Sequence, residues 1–218
     1  MIAAAKTALV IDNHPLLLEG VKQLFELDKG FRLVGAATTS KEGVRLARRY
    51  HPDIILLDLN MGDTHGLDAL SQLKALELDS LVIVLTVSNV PNDMVDALKR
   101  GADGYLLKDM EPEEILEKLR SAGDGQIVVS EAVSNILTRI MRQEHQRPSL
   151  ADARLTRREG EILGLIARGM SNKSISNELK ISDGTVKVHV KNLLRKINAR
   201  SRLEAAIWAI EQGYARSK

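Results

Sequence analysis

The sequence predicts an α/β fold, namely a five-stranded, parallel, doubly wound sheet of flavodoxin-like type, followed by a small all-helical domain. Two observations lead to this prediction. Residues 1–125 alternate short apolar runs with longer segments of helical periodicity, and successive βα units of this kind build parallel sheets covered on both faces. Residues 155–218 contain helical patterns only, and basic side chains outnumber acidic ones there.

Five apolar runs are the predicted strands. Three of them are almost wholly apolar, as expected for parallel strands that are buried on both faces. The runs are Ala8–Ile11, Phe31–Val34, Ile54–Leu57, Leu81–Leu85 and Tyr105–Leu107.

The segments between these runs place apolar residues along one side of a helix. Pro91 and Pro112 fit the first turns of two such helices, where the missing N–H costs nothing, and Gly101 fits the end of the helix that begins near Pro91. The apolar faces comprise Leu17, Val21, Leu24 and Phe25; Val44 and Ala47; Leu67, Leu70 and Leu73; and Ile115, Leu116 and Leu119.

A change of composition separates the two predicted domains. A sixth helix is expected from about Ser130 to Met141, and the polar segment Arg142–Ser149 is expected to be a linker. We therefore divide the chain into a first domain at 1–126, a helix and linker at 127–154, and a second domain at 155–218.

Four short helices are predicted in the second domain from their capping residues. Thr156–Glu159 and Ser201–Glu204 are capping boxes, Ser171 caps a helix that reaches Leu179, and Ser182 opens the helix between. The expected core of this domain is Leu163, Ile166, Ile175, Leu179, Val186, Val190 and Leu193.

Composition limits the classes of function. The chain contains no cysteine, so disulfide scaffolds, thiolate metal sites and cysteine nucleophiles are excluded. The first residues lack the apolar core of a signal peptide, and no stretch approaches the roughly 18 apolar residues of a membrane span. We therefore expect a cytoplasmic protein that makes no membrane contact.

Charge is distributed unevenly along the chain. Residues 1–148 hold 17 Lys and Arg against 22 Asp and Glu, whereas residues 149–218 hold 14 against 7. A basic domain of this kind favours contact with a polyanion such as nucleic acid, although a solvated basic face would give the same pattern.

Polar side chains follow four of the predicted strands. Asp12 and Asn13 follow the first strand, Asp58 the third, Thr86 ends the fourth and Lys108 follows the fifth. The carboxyl ends of parallel strands share one edge of the sheet, so we expect these groups to lie together. An Asp that follows a strand is by itself typical of a helix cap or a turn, and a single Lys is typical of a solvated surface. Together they favour a Mg²⁺ and phosphoryl site at which a carboxylate becomes an acyl phosphate.

The helix from Ser182 to about Ile197 has an apolar back and a basic front. Lys187, Lys191 and Arg195 form a basic stripe at i, i+4 and i+8, and Val188 and Asn192 flank it. A short helix of this kind, preceded by another short helix and a turn, is the recognition arrangement of a helix-turn-helix. Thr185, Ser171 and Lys173 are expected phosphate contacts, and His189 is expected to pack or to contact a phosphate.

Four motifs of the first domain resemble the receiver signatures of NarL/FixJ-type response regulators, namely Val10–Pro15, Leu56–Met61, Leu85–Ser88 and Gly101–Lys108. The resemblance implies that Asp58 accepts a phosphoryl group from a sensor histidine kinase. It also implies that Asp12, Asp58 and the Asn60 carbonyl bind Mg²⁺, with Asn13 a further possible ligand. Thr86 and Lys108 would contact the phosphoryl group, and Tyr105 would change orientation on activation.

The segment from Leu155 to Ala206 resembles the LuxR-type DNA-binding domain. This resemblance implies base contacts from Lys187, Val188 and Lys191, and binding of a homodimer to inverted repeats in double-stranded DNA. It also implies that the unphosphorylated receiver packs against the recognition helix. Met110–Glu113 and Thr185–Lys191 are similar to the nitrate/nitrite-responsive subgroup of the family.

Two positions depart from the family pattern. Asn13 stands where the family usually has a second acid, which predicts weaker Mg²⁺ binding, and Gly62 stands where a proline is usual, which predicts a more flexible loop. Asn13 also keeps open a DNA-binding regulator that works without phosphorylation. A phosphatase-like enzyme that turns over on Asp58 is a further alternative, but Asn60 does not supply the general acid that such an enzyme needs.

Overall fold

A computed structural model of the chain describes residues 5–62, 65–88, 90–123, 126, 128–129 and 153–214. Its first domain is a parallel sheet of strand order β2-β1-β3-β4-β5-β6. The five predicted strands are confirmed, and a two-residue strand is added outside β5. The strands are β1 (Lys6–Ile11), β2 (Phe31–Ala37), β3 (Ile54–Leu57), β4 (Leu81–Thr86), β5 (Gly104–Leu107) and β6 (Val128–Val129).

Helices cover both faces of the sheet, as predicted for a doubly wound fold. Helices α1 and α5 pack on one face, and α2, α3 and α4 pack on the other. Helices α4 and α5 begin at the predicted prolines, and Gly101 follows α4 with a φ of 95°. The helices of this domain are α1 (Pro15–Leu27), α2 (Ser40–Tyr50), α3 (Gly66–Ala75), α4 (Pro91–Lys99) and α5 (Pro112–Gly123).

The central strands alternate between the two cores. In β3, Ile55 and Leu57 face the core beneath α2, α3 and α4, whereas Ile54 and Leu56 face the core beneath α1 and α5. All four side chains are buried. A strand that is covered on both sides has no position for a polar residue, which explains its continuous apolar sequence.

The register of β1 and β3 brings two acidic positions together. Ile11 is paired with Leu57, so Asp12 and Asp58 follow the two strands side by side. The Asp58 N–H donates to the Ile11 carbonyl across the strands at 2.9 Å. The chain leaves β1 for β2 on one side and reaches β3 on the other, which opens a crevice at this edge.

The second domain contains four helices among residues 153–214. Its predicted core is confirmed, except that Leu179 is only partly buried, and the largest core side chain is Trp208, with 1% exposure. The helices are α6 (Arg157–Ala167), α7 (Asn172–Leu179), α8 (Asp183–Lys196) and α9 (Arg202–Glu211).

Capping residues begin these helices at the predicted places. Thr156 and Glu159 form a reciprocal capping box, and Ser171 and Ser182 each accept a backbone N–H of the first turn. Ser201 caps α9 by accepting the Glu204 N–H. In the predicted capping box, the Glu204 side chain would accept the Ser201 N–H. Here Glu204 Oε2 accepts the N–H of Arg200, one residue before the cap.

The two domains touch through α4 and α9. Leu203 and Ile207 of α9 are buried in the same apolar cluster as the α4 side of the first domain. Arg200 donates from Nη1 to the carbonyl of Lys99 at the end of α4. A Cβ built on Gly101 would lie 3.4 Å from Arg200 Cβ, so the backbones approach closely there.

The predicted helix at 130–141 and the linker at 142–149 lie outside the described residues, and the expected domain boundaries stay predictions. Among the described residues, no helix is long and apolar enough to cross a membrane.

Candidate functional site

Three side chains predicted from the strand ends meet at one point. Lys108 Nζ lies 2.7 Å from Asp12 Oδ2 and 2.8 Å from Asp58 Oδ2. The three side chains are almost fully buried, with exposures of 8%, 2% and 0% in that order. One buried ammonium therefore bridges two buried carboxylates, and it offsets the repulsion that would otherwise separate them.

His14 joins this cluster, although sequence reasoning did not assign it to the site. Its Nδ1 lies 3.0 Å from Asp12 Oδ1, 3.7 Å from Asp58 Oδ2 and 3.5 Å from Lys108 Nζ. The His14 N–H also donates to Asp12 Oδ1 at 2.9 Å, so a turn after β1 directs the imidazole into the crevice. The position of His14 two residues after a strand-end aspartate was the available signal.

Some acceptor atoms in the crevice are free. Asp58 Oδ1 and Asn13 Oδ1 are buried and have no hydrogen-bond partner. A buried carboxylate oxygen without a donor is costly in a folded protein unless a ligand or ion completes it. The site therefore has capacity for a cation or for the donors of a bound group.

Gly66, at the start of α3, fixes the backbone that carries Asp58, and sequence reasoning missed it. A Cβ at this position would lie 2.4 Å from the Asp58 carbonyl oxygen and 2.4 Å from Leu59 Cα. The Gly66 N–H donates to the Leu59 carbonyl at 3.0 Å. Only glycine allows α3 to approach the end of β3 so closely.

Thr86 and Tyr105 lie on the next two strands. Thr86 is fully buried, and its Oγ1 accepts the Ser88 N–H at 3.3 Å and faces Asn60 Nδ2 at 3.5 Å. Tyr105 is buried and points inward, donating from its hydroxyl to the Ser88 carbonyl at 2.9 Å. Burial first, and then the charge of Asp93, raise the pKa of Tyr105 well above its usual range.

The donor set suits a divalent cation. Asp12, His14 and Asp58 each offer one ligand atom, and these atoms lie within 4.8 Å of one another. Carboxylate oxygens are the ligands that Mg²⁺ prefers. The carbonyl of Asn60 and the side chain of Asn13 stay predicted ligands.

The second candidate surface is the outer face of α8. Val186, Val190, Leu193 and Ile197 are buried beneath it, as predicted, and Leu194 is partly buried. The predicted reading residues Thr185, Lys187, Val188, Lys191 and Arg195 are all exposed, Asn192 and His189 are half-buried, and Lys173 on α7 is exposed. Val188 is 59% exposed, so its methyl groups are accessible on this face.

A partly buried ion pair holds α8 against α6. Lys196 Nζ lies 2.6 Å from Glu159 Oε2, and the same oxygen accepts the Thr156 N–H at 2.8 Å. Burial alone would raise the pKa of Glu159, but the hydrogen bonds from Lys196 and Thr156 outweigh it and lower that pKa. The C-terminal end of α8 is thereby fixed to the start of α6.

The first domain does not cover this surface, contrary to what the resemblance implied for an unphosphorylated receiver. The α4 contact is made with α9, and Lys187, Val188 and Lys191 stay exposed. The side chains expected to read DNA are therefore accessible in this arrangement.

Two family descriptions match the chain. Residues 8–120 match the response regulator receiver domain, and residues 153–209 match the bacterial regulatory proteins of the luxR family. Two relatives from Escherichia coli K12 are similar over nearly their whole length. The nitrate/nitrite response regulator NarL is 46% identical over 94% of this chain and 95% of its own. The nitrate/nitrite response regulator NarP is 44% identical over 94% of each.

A solved structure has the same overall fold. RcsB from Salmonella enterica serovar Typhimurium, bound to promoter DNA in the presence of the phosphomimetic BeF3−, has a TM-score of 0.58 and 23% identity. The match covers 92% of this chain and 96% of that one.

Proposed function

Since the chain belongs to the family of response regulators that join a receiver domain to a luxR-type DNA-binding domain, we propose that phosphorylation of Asp58 controls its binding to DNA. The observation that supports Asp58 as the acceptor is its pair of oxygens. One has no hydrogen-bond partner, and the other is bridged by the Lys108 ammonium. A nucleophilic oxygen and a cation for the transferred group are thus adjacent.

The reaction is phosphoryl transfer from a phosphohistidine of a sensor histidine kinase. An Asp58 oxygen attacks phosphorus, the O–P bond forms and the N–P bond breaks, and the kinase imidazole regains a proton. Lys108 and Thr86 donate hydrogen bonds to the phosphoryl oxygens. Asp12, Asp58 and the Asn60 carbonyl would hold Mg²⁺, and a bound Mg²⁺ would supply charge neutralisation at the phosphoryl oxygens. A single phosphoryl transfer to Asp58 switches the protein, so the site does not need to turn over a free substrate.

The output is sequence-specific binding of double-stranded DNA through α8. The exposed Lys187, Val188 and Lys191 contact base edges in the major groove. Thr185, Lys173, Asn192 and Arg195 position the helix through phosphates or flanking bases. Two copies of the domain bind an inverted repeat as a homodimer, because two-fold protein symmetry matches the symmetry of the site.

Helix α4 is suited to couple the two sites. At its first turn, Asp93 accepts the Ser88 hydroxyl at 2.5 Å, and Ser88 lies beside Thr86. At its last turn, the Lys99 carbonyl accepts Arg200 before α9. A phosphoryl group that draws Thr86 toward Asp58 would shift the start of α4 and loosen its contact with α9.

The signal that we propose is nitrate or nitrite, acting through the kinase. The support is the similarity to two nitrate/nitrite response regulators over nearly the whole chain. A regulator that binds chromosomal DNA acts in the cytoplasm.

The test is DNA binding at fixed salt, with and without acetyl phosphate and Mg²⁺, for the wild type and Asp58→Asn. Acetyl phosphate should raise the affinity of the wild type and leave that of Asp58→Asn unchanged. Equal binding by both proteins in every condition would instead support a regulator that works without phosphorylation. Sustained release of phosphate over many turnovers would support the enzymatic alternative.

A further inference from the structure

Asn172 is the first residue of α7, and Arg202 is the first residue of α9. We propose that Asn172 donates a hydrogen bond from its amide to a phosphate of the DNA backbone, and that Arg202 is the positioning residue that orients this amide. The inference rests on the proposed function and deepens it, because it identifies a sequence-independent contact to the same DNA and the side chain that prepares this contact.

The residue before Asn172 is committed to its own helix. Ser171 is 4% exposed, and its Oγ accepts the Ser174 N–H at 2.9 Å and lies 2.9 Å from the Ser174 Oγ. A buried hydroxyl that caps α7 has no free side for a phosphate. The phosphate contact expected of Ser171 therefore falls to a neighbouring side chain.

Arg202 holds the backbone before this cap and the side chain after it. Its Nη2 donates to the carbonyl of Met170, and its Nη1 donates to Asn172 Oδ1 at 2.8 Å. Arg202 is mostly buried, its Nε has no hydrogen-bond partner in the described part of the chain, and burial lowers the pKa of Arg202 to about 10. A desolvated cation and an unpaired buried N–H both oppose folding. Costs of this kind are expected where a residue serves function.

The guanidinium determines which way the Asn172 amide faces. A guanidinium has donors and no acceptor, so the Asn172 atom beside it has to be the oxygen. The amide NH₂, with its two donors, then points away from Arg202. Asn172 is half-buried, and Lys173 beside it is exposed. The start of α7 thus presents two neighbouring donors, one neutral and one charged.

These donors belong to the helix that meets the DNA backbone in a helix-turn-helix. α7 precedes α8, and the first helix of such a pair crosses the phosphates while the second enters the major groove. Asparagine side chains are common donors to phosphate oxygens. Because Arg202 fixes the amide before DNA arrives, binding orders one side chain fewer and loses less entropy.

The experiment measures the affinity of the full chain for two duplexes over a range of salt concentrations, with acetyl phosphate and Mg²⁺ present. One duplex has a random sequence, and the other is selected from a random pool by the wild type. Asn172→Asp keeps an acceptor for Arg202 but replaces the donors with an anionic oxygen. The affinity for both duplexes should fall at least about tenfold.

Two measurements separate this loss from damage to the fold and from a general effect of charge. The first turn of α7 has no acidic side chain, so Asn172→Asp should keep or raise the melting temperature. Asn177→Asp makes the same change of charge at an exposed position of α7. Screening by salt should limit its effect on affinity to less than about twofold.

A double-mutant cycle tests the role of Arg202. Asn172→Ala should weaken binding to both duplexes about tenfold with an unchanged salt slope, because a neutral amide releases no counterion. Arg202→Lys keeps the charge but loses the forked contact, and it should also weaken binding to both duplexes. In the Asn172→Ala background, Arg202→Lys should have no further effect, because Arg202 acts through Asn172.

Three results would overturn the inference. Wild-type affinity in Asn172→Asp would mean that no phosphate lies beside the amide. Equal losses in Asn172→Asp and Asn177→Asp would mean that only the net charge matters. Additive losses in the cycle would mean that Arg202 acts independently of Asn172. The proposed switch at Asp58 fails by a different result, in which acetyl phosphate leaves the affinity of the wild type unchanged.

Discussion

Replacing Gly66 with alanine tests whether the approach of α3 holds the Asp58 backbone in place. The added Cβ would lie 2.4 Å from both the Asp58 carbonyl oxygen and Leu59 Cα. Ordinary contact begins near 3.4 Å, so helix and strand end must separate by about 1 Å. Overpacking of this kind costs about 1 to 3 kcal/mol. Because both contacted atoms are backbone, we expect the upper part of that range.

The measurement is urea unfolding of Gly66→Ala together with its rate of phosphorylation by acetyl phosphate. We expect a loss of about 2 to 3 kcal/mol in the free energy of unfolding and slower phosphorylation, because Asp58 is displaced from Lys108. Gly20→Ala is the matched control. It adds the same methyl group in α1 with nothing within 4 Å, and it should stabilise the helix by about 0.5 to 1 kcal/mol.

A Gly66→Ala protein with wild-type stability and wild-type phosphorylation would refute the reasoning. It would mean that α3 can move freely relative to β3, and that the geometry at Asp58 does not depend on this contact.

Three further predictions concern the second domain and its contact with the first. Lys173→Ala should weaken binding to all DNA sequences and reduce the salt slope by about 1, whereas Lys191→Ala should cost about 1 to 3 kcal/mol on the specific site only. A loss on the specific site alone for Lys173→Ala, or equal losses on specific and random DNA for Lys191→Ala, would contradict these roles. The folded protein lowers the pKa of Glu159 from its usual value of 4.5. The ionised Glu159 side chain therefore stabilises the folded state above pH 4.5, and this stabilisation is lost as the pH falls below 4.5. When acid unfolding is followed by Trp208 fluorescence, the stability of Lys196→Met should therefore depend less steeply on pH than that of the wild type. An unchanged pH profile would contradict this. Ile207→Glu should place a charge in the α4–α9 contact and increase the radius of gyration in X-ray scattering, and unchanged dimensions would show that the contact does not hold the domains together.

Much of the phosphoryl site could be predicted because parallel strands bring their carboxyl ends to one edge. Asp12, Asp58, Thr86 and Lys108 each lie one step beyond an apolar run, and the register of the sheet assembles them. His14 was missed because its position depends on a turn around Asp12, which the apolar pattern does not describe.

Long-range packing was less accessible to sequence reasoning. The need for glycine at position 66 arises from a backbone in another element. The α9 contact was also missed, because α9 is apolar on two sides. Trp208 and Ala209 pack within the second domain, whereas Leu203 and Ile207 pack toward α4. A helix that is apolar all round indicates burial without indicating the partner.

The position of the first domain determines which step of DNA binding it can control. It covers Leu203 and Ile207 on α9 but leaves Val188 and Lys191 on α8 exposed. Under the proposed function, a single copy of the chain therefore already presents its DNA-reading side chains to a half-site in this arrangement. Placing two domains on an inverted repeat requires a fixed two-fold orientation, and an attached first domain restricts it. Release at α4 would then raise the effective concentration of the DNA-binding domain of the second copy at the other half-site. It would not change the affinity with which the domain of the first copy binds its own half-site. A half-site duplex should be bound alike with and without phosphorylation of Asp58, and only the full repeat should distinguish the two states.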